Sequence, residues 1–158
     1  MAHLGDLKGE WASAIGRALI AFGSIEHVTV TCLRQIPRDR IQRSTSSFNL
    51  APRIDLLLEI LEAHPELPCI ELSEQLRTAK SMAKTCNLIA HNPLTFEFYE
   101  RENGDYLFNE VIVSLHKTGT KISLVQVQAF AAQAEQLASE MFGTSGRVFA
   151  ALRAKASA

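Results

Sequence analysis

The sequence is poor in cysteine and has no excess of charge of either sign. It contains three cysteines, Cys32, Cys69 and Cys86, and no two of them form a Cys-x-x-Cys pair. An odd number of cysteines at these spacings argues against a disulfide framework and a zinc site, and it favours a reducing compartment. The formal net charge of −1 supplies no global attraction to nucleic acid or to an acidic membrane, so such binding would need a local basic patch.

Long apolar runs and common catalytic motifs are also missing. No stretch approaches the roughly 20 apolar residues of a membrane span. Residues 1–10 carry Asp6, Lys8 and Glu10 where a secretory signal would have an apolar run. We therefore expect a cytoplasmic protein without a membrane partner. The chain has no Walker loop and no GxGxxG, HExxH or GxSxG motif, and its histidines do not pair at metal-ligand spacing, so it predicts neither a cofactor nor a metal.

Apolar residues recur at helical spacing over most of the chain, which predicts a mainly helical fold. The first helix runs from about residue 7 to residue 36 and ends at a proline, because proline cannot extend a helix. The second helix has Pro52 in its first turn and Asn49 as its N-cap. Residues 70–91 form the third helix, which Pro93 closes.

After the third helix the apolar period changes from 3.6 to 2. Phe96, Phe98 and residues 106–115 are rich in aromatic and β-branched side chains, and Asn103-Gly104 between them is a strong turn signal. The sequence therefore predicts a β-hairpin, followed by a second turn at Gly119.

A last long helix follows the hairpin. Ser123 opens it, and Gln126 three residues later completes the pattern of a capping box. Gly143 and Gly146 are expected to interrupt this helix, which leaves residues 143–158 as a short C-terminal helix or tail.

Polar and basic residues share one side of the third helix. They are three or four residues apart, so at about 100° per residue they fall along one face: Arg77, Lys80, Lys84, Asn87 and His91. The histidine stands at the helix C-terminus, where positive charge interacts favourably with the helix dipole. A histidine near a cation can move a proton while the cation stabilises a phosphate, which is the chemistry of phosphodiester cleavage. An ordinary solvated face, with the histidine bonded to a local carbonyl, is the alternative.

One carboxylate interrupts the apolar stripe of the first helix. Glu26 follows Leu19 and Phe22, so the spacing predicts that it is buried. A buried carboxylate costs free energy unless it is paired. We therefore expect a partner for Glu26 across the bundle, with Arg53 and His91 as the candidates.

A second group of basic residues lies between the first and second helices. Five arginines and a single aspartate occur within residues 34–53: Arg34, Arg38, Arg40, Arg43, Arg53 and Asp39. Such a patch could bind RNA phosphates, and its affinity would then fall with salt. It contains no aromatic residue except Phe48, so base stacking is not indicated. A solvated loop is the alternative.

The end of the third helix resembles a known family signature. Residues 86–92 read Cys-Asn-Leu-Ile-Ala-His-Asn, and the signature of the HEPN superfamily is an arginine, four to six residues and a histidine, often Arg-Asn-x-Ile-Ala-His. Residues 22–26, Phe-Gly-Ser-Ile-Glu, are similar to the Phe-Gly-x-(Ile/Leu)-Glu helix of bacterial HEPN-like proteins. The resemblance covers roughly residues 8–142, and we take residues 1–158 as one HEPN-like domain.

The resemblance implies a mainly α fold, a HEPN-like helical bundle with a β-hairpin inserted before the last long helix. It also implies a homodimer. In active members, paired arginine and histidine residues at the dimer interface form a metal-independent RNA-cleaving site. Some members belong to toxin–antitoxin or phage-defence systems, and others have lost the motif and serve as binding or assembly modules.

The chain departs from the family pattern at the arginine position, which is Cys86. A thiol has no permanent charge and cannot make the two-pronged phosphate contact of a guanidinium. Cys86 also falls on the apolar side of its helix, where a small buried hydrophobe is the ordinary role of a free cysteine. The position therefore favours a module that has lost catalysis or retains little of it.

Three functions stay open on the sequence alone. The first is a HEPN-like dimeric module, non-catalytic or weakly active, that binds RNA or an antitoxin-like protein partner. The second is a metal-independent endoribonuclease, and the third is a scaffold bundle unrelated to RNA. For a ribonuclease, His91 would act on the 2′-hydroxyl or the leaving oxygen, and Lys84 and Arg77 would stabilise phosphate charge. Asn87 would orient one of these cations, and Glu26 would be a polar residue close to the motif.

Overall fold

The computed structural model describes residues 4–36, 48–65 and 68–157, with side chains from residue 9 onward. Within these ranges the protein is mainly helical, with a small antiparallel sheet. The elements, in chain order, are α1 (Leu4–Gln35), α2 (Leu50–Glu62), α3 (Ile70–His91), β1 (Leu94–Glu100), β2 (Tyr106–Val113), β3 (Lys121–Ser123) and α4 (Leu124–Ala156). The prediction of a mainly α fold with a hairpin before the last long helix is confirmed, and β3 extends the hairpin to three strands.

The chain forms two compact units. One contains the described residues up to Ile20 together with Lys84–Gln133. The other contains the described parts of Ala21–Ala83 and Ala134–Ala158. The sheet and the last turns of α3 thus belong to the first unit, and α2 belongs to the second.

The core of the first unit combines helix and sheet residues. In the sheet, Ile112 of β2 pairs with Leu94 on one side and with Ile122 on the other, and it is 1% exposed. The buried apolar side chains contributed by the helices include Trp11, Ala14, Ala18, Ile89, Val127 and Phe130. Since each large apolar side chain contributes about 1.5–3 kcal/mol when it is fully buried, burial of these residues stabilises the first unit.

The core of the second unit is built from the apolar stripes of four helical segments. Its fully or almost fully buried residues include Phe22, Ile25, Cys32, Ile54, Leu57, Leu61, Leu72, Leu76, Met141 and Val148. They recur three or four residues apart within each helix, which is the spacing of one helix face.

The ends of the elements follow local chemistry. Asn92 directly follows α3, where its Nδ2 donates to the carbonyl of Leu88 at 3.0 Å and its Oδ1 accepts from the Leu115 amide at 2.8 Å. Before α4 the predicted capping box is present, because the Ser123 amide donates to Gln126 Oε1 at 2.8 Å. The reciprocal bond runs from the Gln126 amide to Ser123 Oγ at 3.4 Å.

Two expectations about helix ends need correction. Asn49 occupies the N-cap of α2, but its side chain makes no capping hydrogen bond. Gly143 and Gly146 do not interrupt the last helix, since α4 continues through both of them to Ala156. Two small polar residues between the glycines, Thr144 and Ser145, are 2% and 4% exposed, so burial of this segment outweighs the helix-weakening effect of glycine, about 1 kcal/mol each.

Candidate functional site

The last turns of α3 present three polar side chains of the predicted stripe. Lys84, Asn87 and His91 are all exposed, and His91 is the last residue of the helix. Within the ranges that the structure describes, none of the three side chains makes a hydrogen bond or an ion pair with another residue. All three belong to the first unit, and their spacing of three and four residues places them on one face of the helix. We call Lys84, Asn87 and His91 the α3 end surface.

The opposite side of the same helix end is buried. Cys86 is 8% exposed and Ile89 is 3% exposed, which confirms the prediction that the thiol fills a core position. Ala90, which directly follows Ile89, is exposed. Cys86, which stands where the resemblance leads one to expect an arginine, therefore does not contact a ligand that lies on the α3 end surface.

The other two cations of the stripe face carboxylates of α2. Lys80 Nζ lies 2.5 Å from Asp55 Oδ1, and Arg77 Nη2 lies 3.9 Å from Glu62 Oε1. Both pairs are largely exposed, and pairs of this kind contribute about 1 kcal/mol or less to stability. Their main effect is on charge, since each cation is neutralised locally. Arg77 also belongs to the second unit, so the structure does not gather it into the α3 end surface.

The prediction that Glu26 is buried and paired is wrong. Glu26 is exposed, and the fully buried polar residue of this helix is Thr29, whose Oγ1 donates to the Glu26 carbonyl at 2.7 Å. Arg53 does not pair with the Glu26 carboxylate. Its Nη1 lies 3.5 Å from Thr29 Oγ1, and its Nη2 donates to the Phe48 carbonyl at 2.6 Å. The side chain of Glu26 is likewise unpaired with His91 in the described part of the chain.

The arginine-rich segment before α2 falls mostly outside the described residues. Arg38, Arg40 and Arg43 lie in the range 37–47, of which the structure gives no description. Arg34 is exposed in the last turn of α1, and Arg53 makes the contacts given above. The prediction of an RNA-binding patch there stays a prediction.

None of the three cysteines forms a disulfide, and all three are buried. Burial raises the pKa of the Cys32 thiol to about 12, and Cys69 contributes to the same shift. Because the thiolate is the nucleophilic form, Cys32 is unreactive near neutral pH.

The sequence did not single out a polar cluster on one face of the sheet. Glu97 Oε2 accepts from Lys121 Nζ at 2.8 Å and from the Tyr99 hydroxyl at 2.5 Å. These two hydrogen bonds, that of Lys121 first, lower the pKa of Glu97. The strand alternation of Glu97 and Tyr99 was visible in the sequence, but their partner on β3 depends on strand pairing.

The described residues contain no group of three or more histidine, cysteine or acidic side chains that could hold a metal ion. Over the same ranges, no helix combines the length and apolar character needed to cross a membrane. Comparisons of the chain with protein-family models, with curated proteins and with solved structures gave no match.

Proposed function

We propose that this protein is a HEPN-like helical module that binds RNA and cleaves it weakly or not at all. One contrast supports the proposal. The motif histidine, His91, is exposed beside Lys84 and Asn87, whereas Cys86 at the arginine position is in the core. The module keeps a surface that can contact phosphate but lacks the guanidinium on which the family's cleavage chemistry depends.

The spacing of the two basic side chains favours binding over cleavage. Lys84 and His91 are seven residues apart, which at 1.5 Å per residue separates their backbones by about 10 Å along the helix. Catalysis on one phosphate needs both groups within about 3 Å of the reacting oxygens. Contacts with neighbouring phosphates suit this separation better. Asn87 lies between them and can donate a further hydrogen bond to the same strand.

The turns of α3 that carry this surface contain no acidic residue. From Lys84 to His91 the sequence reads Lys-Thr-Cys-Asn-Leu-Ile-Ala-His. The overall net charge of −1 does not attract RNA, so binding depends on this local region and should be strongly weakened by salt.

The proposal includes a cytoplasmic homodimer, as the family resemblance implies. A two-fold axis near the end of α3 would bring two α3 end surfaces together and double the number of phosphate contacts. Light scattering at micromolar concentration tests this part, and a monomer would contradict it.

The binding test measures fluorescence anisotropy of a labelled single-stranded RNA at low salt. We expect Lys84→Ala and His91→Ala each to weaken binding by about threefold to tenfold, which corresponds to the loss of about 1 kcal/mol from one exposed contact. His27→Ala is the matched control, because His27 is an exposed histidine of α1 and is not one of the residues of the α3 end surface. It should bind as the unchanged protein does.

The same RNA, incubated with a metal chelator and analysed on a gel, tests catalysis. Slow cleavage or none agrees with the proposal. Rapid cleavage that His91→Ala abolishes would instead establish the ribonuclease. Failure of the unchanged protein to bind RNA at low salt would overturn RNA binding and leave a protein partner or a scaffold role.

A further inference from the structure

One face of the hairpin carries a continuous aromatic surface. Alternate residues of paired strands point to the same side, and the register places Phe98 opposite Phe108 on this side. Four aromatic side chains lie here with large exposed fractions, Phe96 at 40%, Phe98 at 71%, Tyr106 at 69% and Phe108 at 54%. We call these four residues the aromatic face.

The aromatic side chains form a patch. The ring of Phe96 lies edge-on to that of Phe108, with centroids 6.3 Å apart, and its centroid is 6.5 Å from that of Phe98. Scattered exposed apolar residues are normal on a protein surface, but contiguous ones mark interaction sites. The hairpin buries its base through Ile112 and leaves this outer part uncovered by the described residues.

Carboxylates border the aromatic face at both ends. By the register, Glu100 lies on the same side at the tip of the hairpin, and Glu110 lies on it opposite Phe96. Both side-chain oxygens of Glu110 are buried and have no hydrogen-bond partner in the described part of the protein. Neither β1 nor β2 contributes a lysine or arginine to this side.

The hairpin as a whole is acidic. Residues 94–113 contain five acidic side chains and one basic side chain, Arg101. The lysine nearest in the sheet, Lys121, is bound to Glu97 on the opposite face. Negative charge therefore dominates the surroundings of the aromatic face, which opposes RNA and also opposes a second copy of the same hairpin.

We propose that the aromatic face docks a basic, apolar segment of a partner protein. Lysine or arginine side chains of such a segment are attracted by the aromatic rings and by the two flanking carboxylates. Its apolar side chains cover the exposed ring surfaces. A cation that reaches Glu110, after a side-chain rotation, also supplies the hydrogen bonds that this carboxylate lacks. The site is separate from the α3 end surface, so it stands whether or not that surface binds RNA.

A labelled, amidated peptide of alternating arginine and leucine serves as the probe, read by fluorescence anisotropy. A peptide with glutamate in place of arginine tests the charge preference. We expect the basic peptide to bind and the acidic one not to bind. Phe98→Ser should weaken binding by about tenfold, the effect of losing one well-placed aromatic contact. Glu100→Gln should weaken it by about threefold at low salt and less at high salt, because an exposed charge is screened.

Leu107→Ser is the matched control. Leu107 is an exposed apolar residue of the same hairpin, 42% exposed, but it lies on the opposite face. Its replacement should leave peptide binding unchanged, and the circular dichroism spectra of all variants should agree.

Three results would overturn the proposal. Equal peptide binding by the unchanged protein and by Phe98→Ser would remove the aromatic face as the site. Binding of single-stranded RNA that Phe98→Ser abolishes would assign the face to nucleic acid. A dimer that Phe98→Ser converts to a monomer would assign it to a second copy.

Discussion

The middle and the end of α3 carry the same kinds of polar side chain in different surroundings. In the middle, Lys80 lies 2.5 Å from Asp55 of α2 and is neutralised there. At the end, Lys84 and His91 have no such counter-charge among the residues that the structure describes. A stripe that looks uniform in sequence thus divides into a part that ties α3 to α2 and a part that is available to a ligand.

This difference shows why a basic stripe alone is weak support for a phosphate site. The charge of a lysine is the same in both places, but a phosphate must compete with Asp55 at one place and only with water at the other. The availability of the cation, and not its presence, decides which residues can bind.

The largest effect is expected from placing arginine at position 86. Cys86→Arg would bury a guanidinium without a prepared partner, so we expect the free energy of unfolding to fall by about 3 kcal/mol or more. Urea denaturation followed by circular dichroism measures it. Lys84→Arg is the control, because an exposed substitution changes stability by about 0.5 kcal/mol or less. A Cys86→Arg protein of unchanged stability that cleaved RNA would show that residue 86 can reach the surface.

The next largest effect is the difference in RNA binding between Lys84→Ala and Lys80→Ala, because the first lysine lies at the end of α3 and the second in its middle. Lys84→Ala should lower RNA affinity and reduce the slope of log affinity against log salt by about 0.7, the value for one phosphate contact on a single strand. Lys80→Ala should change neither quantity, since Asp55 already neutralises that cation. A salt titration of RNA binding measures both variants. Identical slopes for the two variants would contradict the proposal that Lys84 contacts phosphate and Lys80 does not.

Removal of the Asp55 carboxylate should make Lys80 available to RNA. Asp55→Asn leaves Lys80 without its ion pair, so RNA affinity should rise by about twofold to threefold at low salt. Stability should fall by about 1 kcal/mol or less, as is usual for an exposed pair. Glu59→Gln, which alters an exposed carboxylate of α2 outside the pair, is the control. If both variants gained affinity equally, net charge alone would explain the gain.

The smallest effect concerns Glu97, the paired carboxylate of β1. Hydrogen bonds from Lys121 and Tyr99 lower the pKa of Glu97, so its contribution to stability is present above the unfolded pKa and is lost as the pH falls through the folded pKa. Carboxyl NMR titration should give Glu97 a lower midpoint than an ordinary glutamate. Lys121→Ala should raise this midpoint, and an unchanged midpoint would contradict the contact.

Local signals in the sequence predicted much of the fold. Residues 70–91 were expected to be helical and are so from Ile70 to His91, because prolines stand on both sides and the apolar spacing between them is regular. Asn103-Gly104 predicted the hairpin turn, and Gly104 has the positive φ of 83° that such turns require. In each place, neighbouring residues were sufficient to determine the backbone.

Features that depend on distant packing were predicted less well. Glu26 looked buried because Leu19 and Phe22 precede it at helical spacing, but the stripe is centred on Ile25 and Thr29, which leaves Glu26 at its edge. The buried stripe is thus rotated by about 50° around the helix axis from the predicted stripe, and the spacing of apolar residues alone does not determine so small a rotation. The ion pair between Asp55 and Lys80 depends on how α2 lies against α3, for which the sequence has no local signal.

The position of β1 at the border of the sheet has a consequence for purified protein. Among the described residues β1 pairs on one side only, with β2, so its other side can template the addition of a further chain. The aromatic and apolar residues of this strand have the composition of aggregation-prone segments, and charged residues such as Glu97 and Glu100 are of the kind that opposes fibrillar stacking. Because hydrogen bonds from Lys121 and Tyr99 lower the pKa of Glu97, its carboxylate is protonated only at a lower pH than that of an ordinary glutamate.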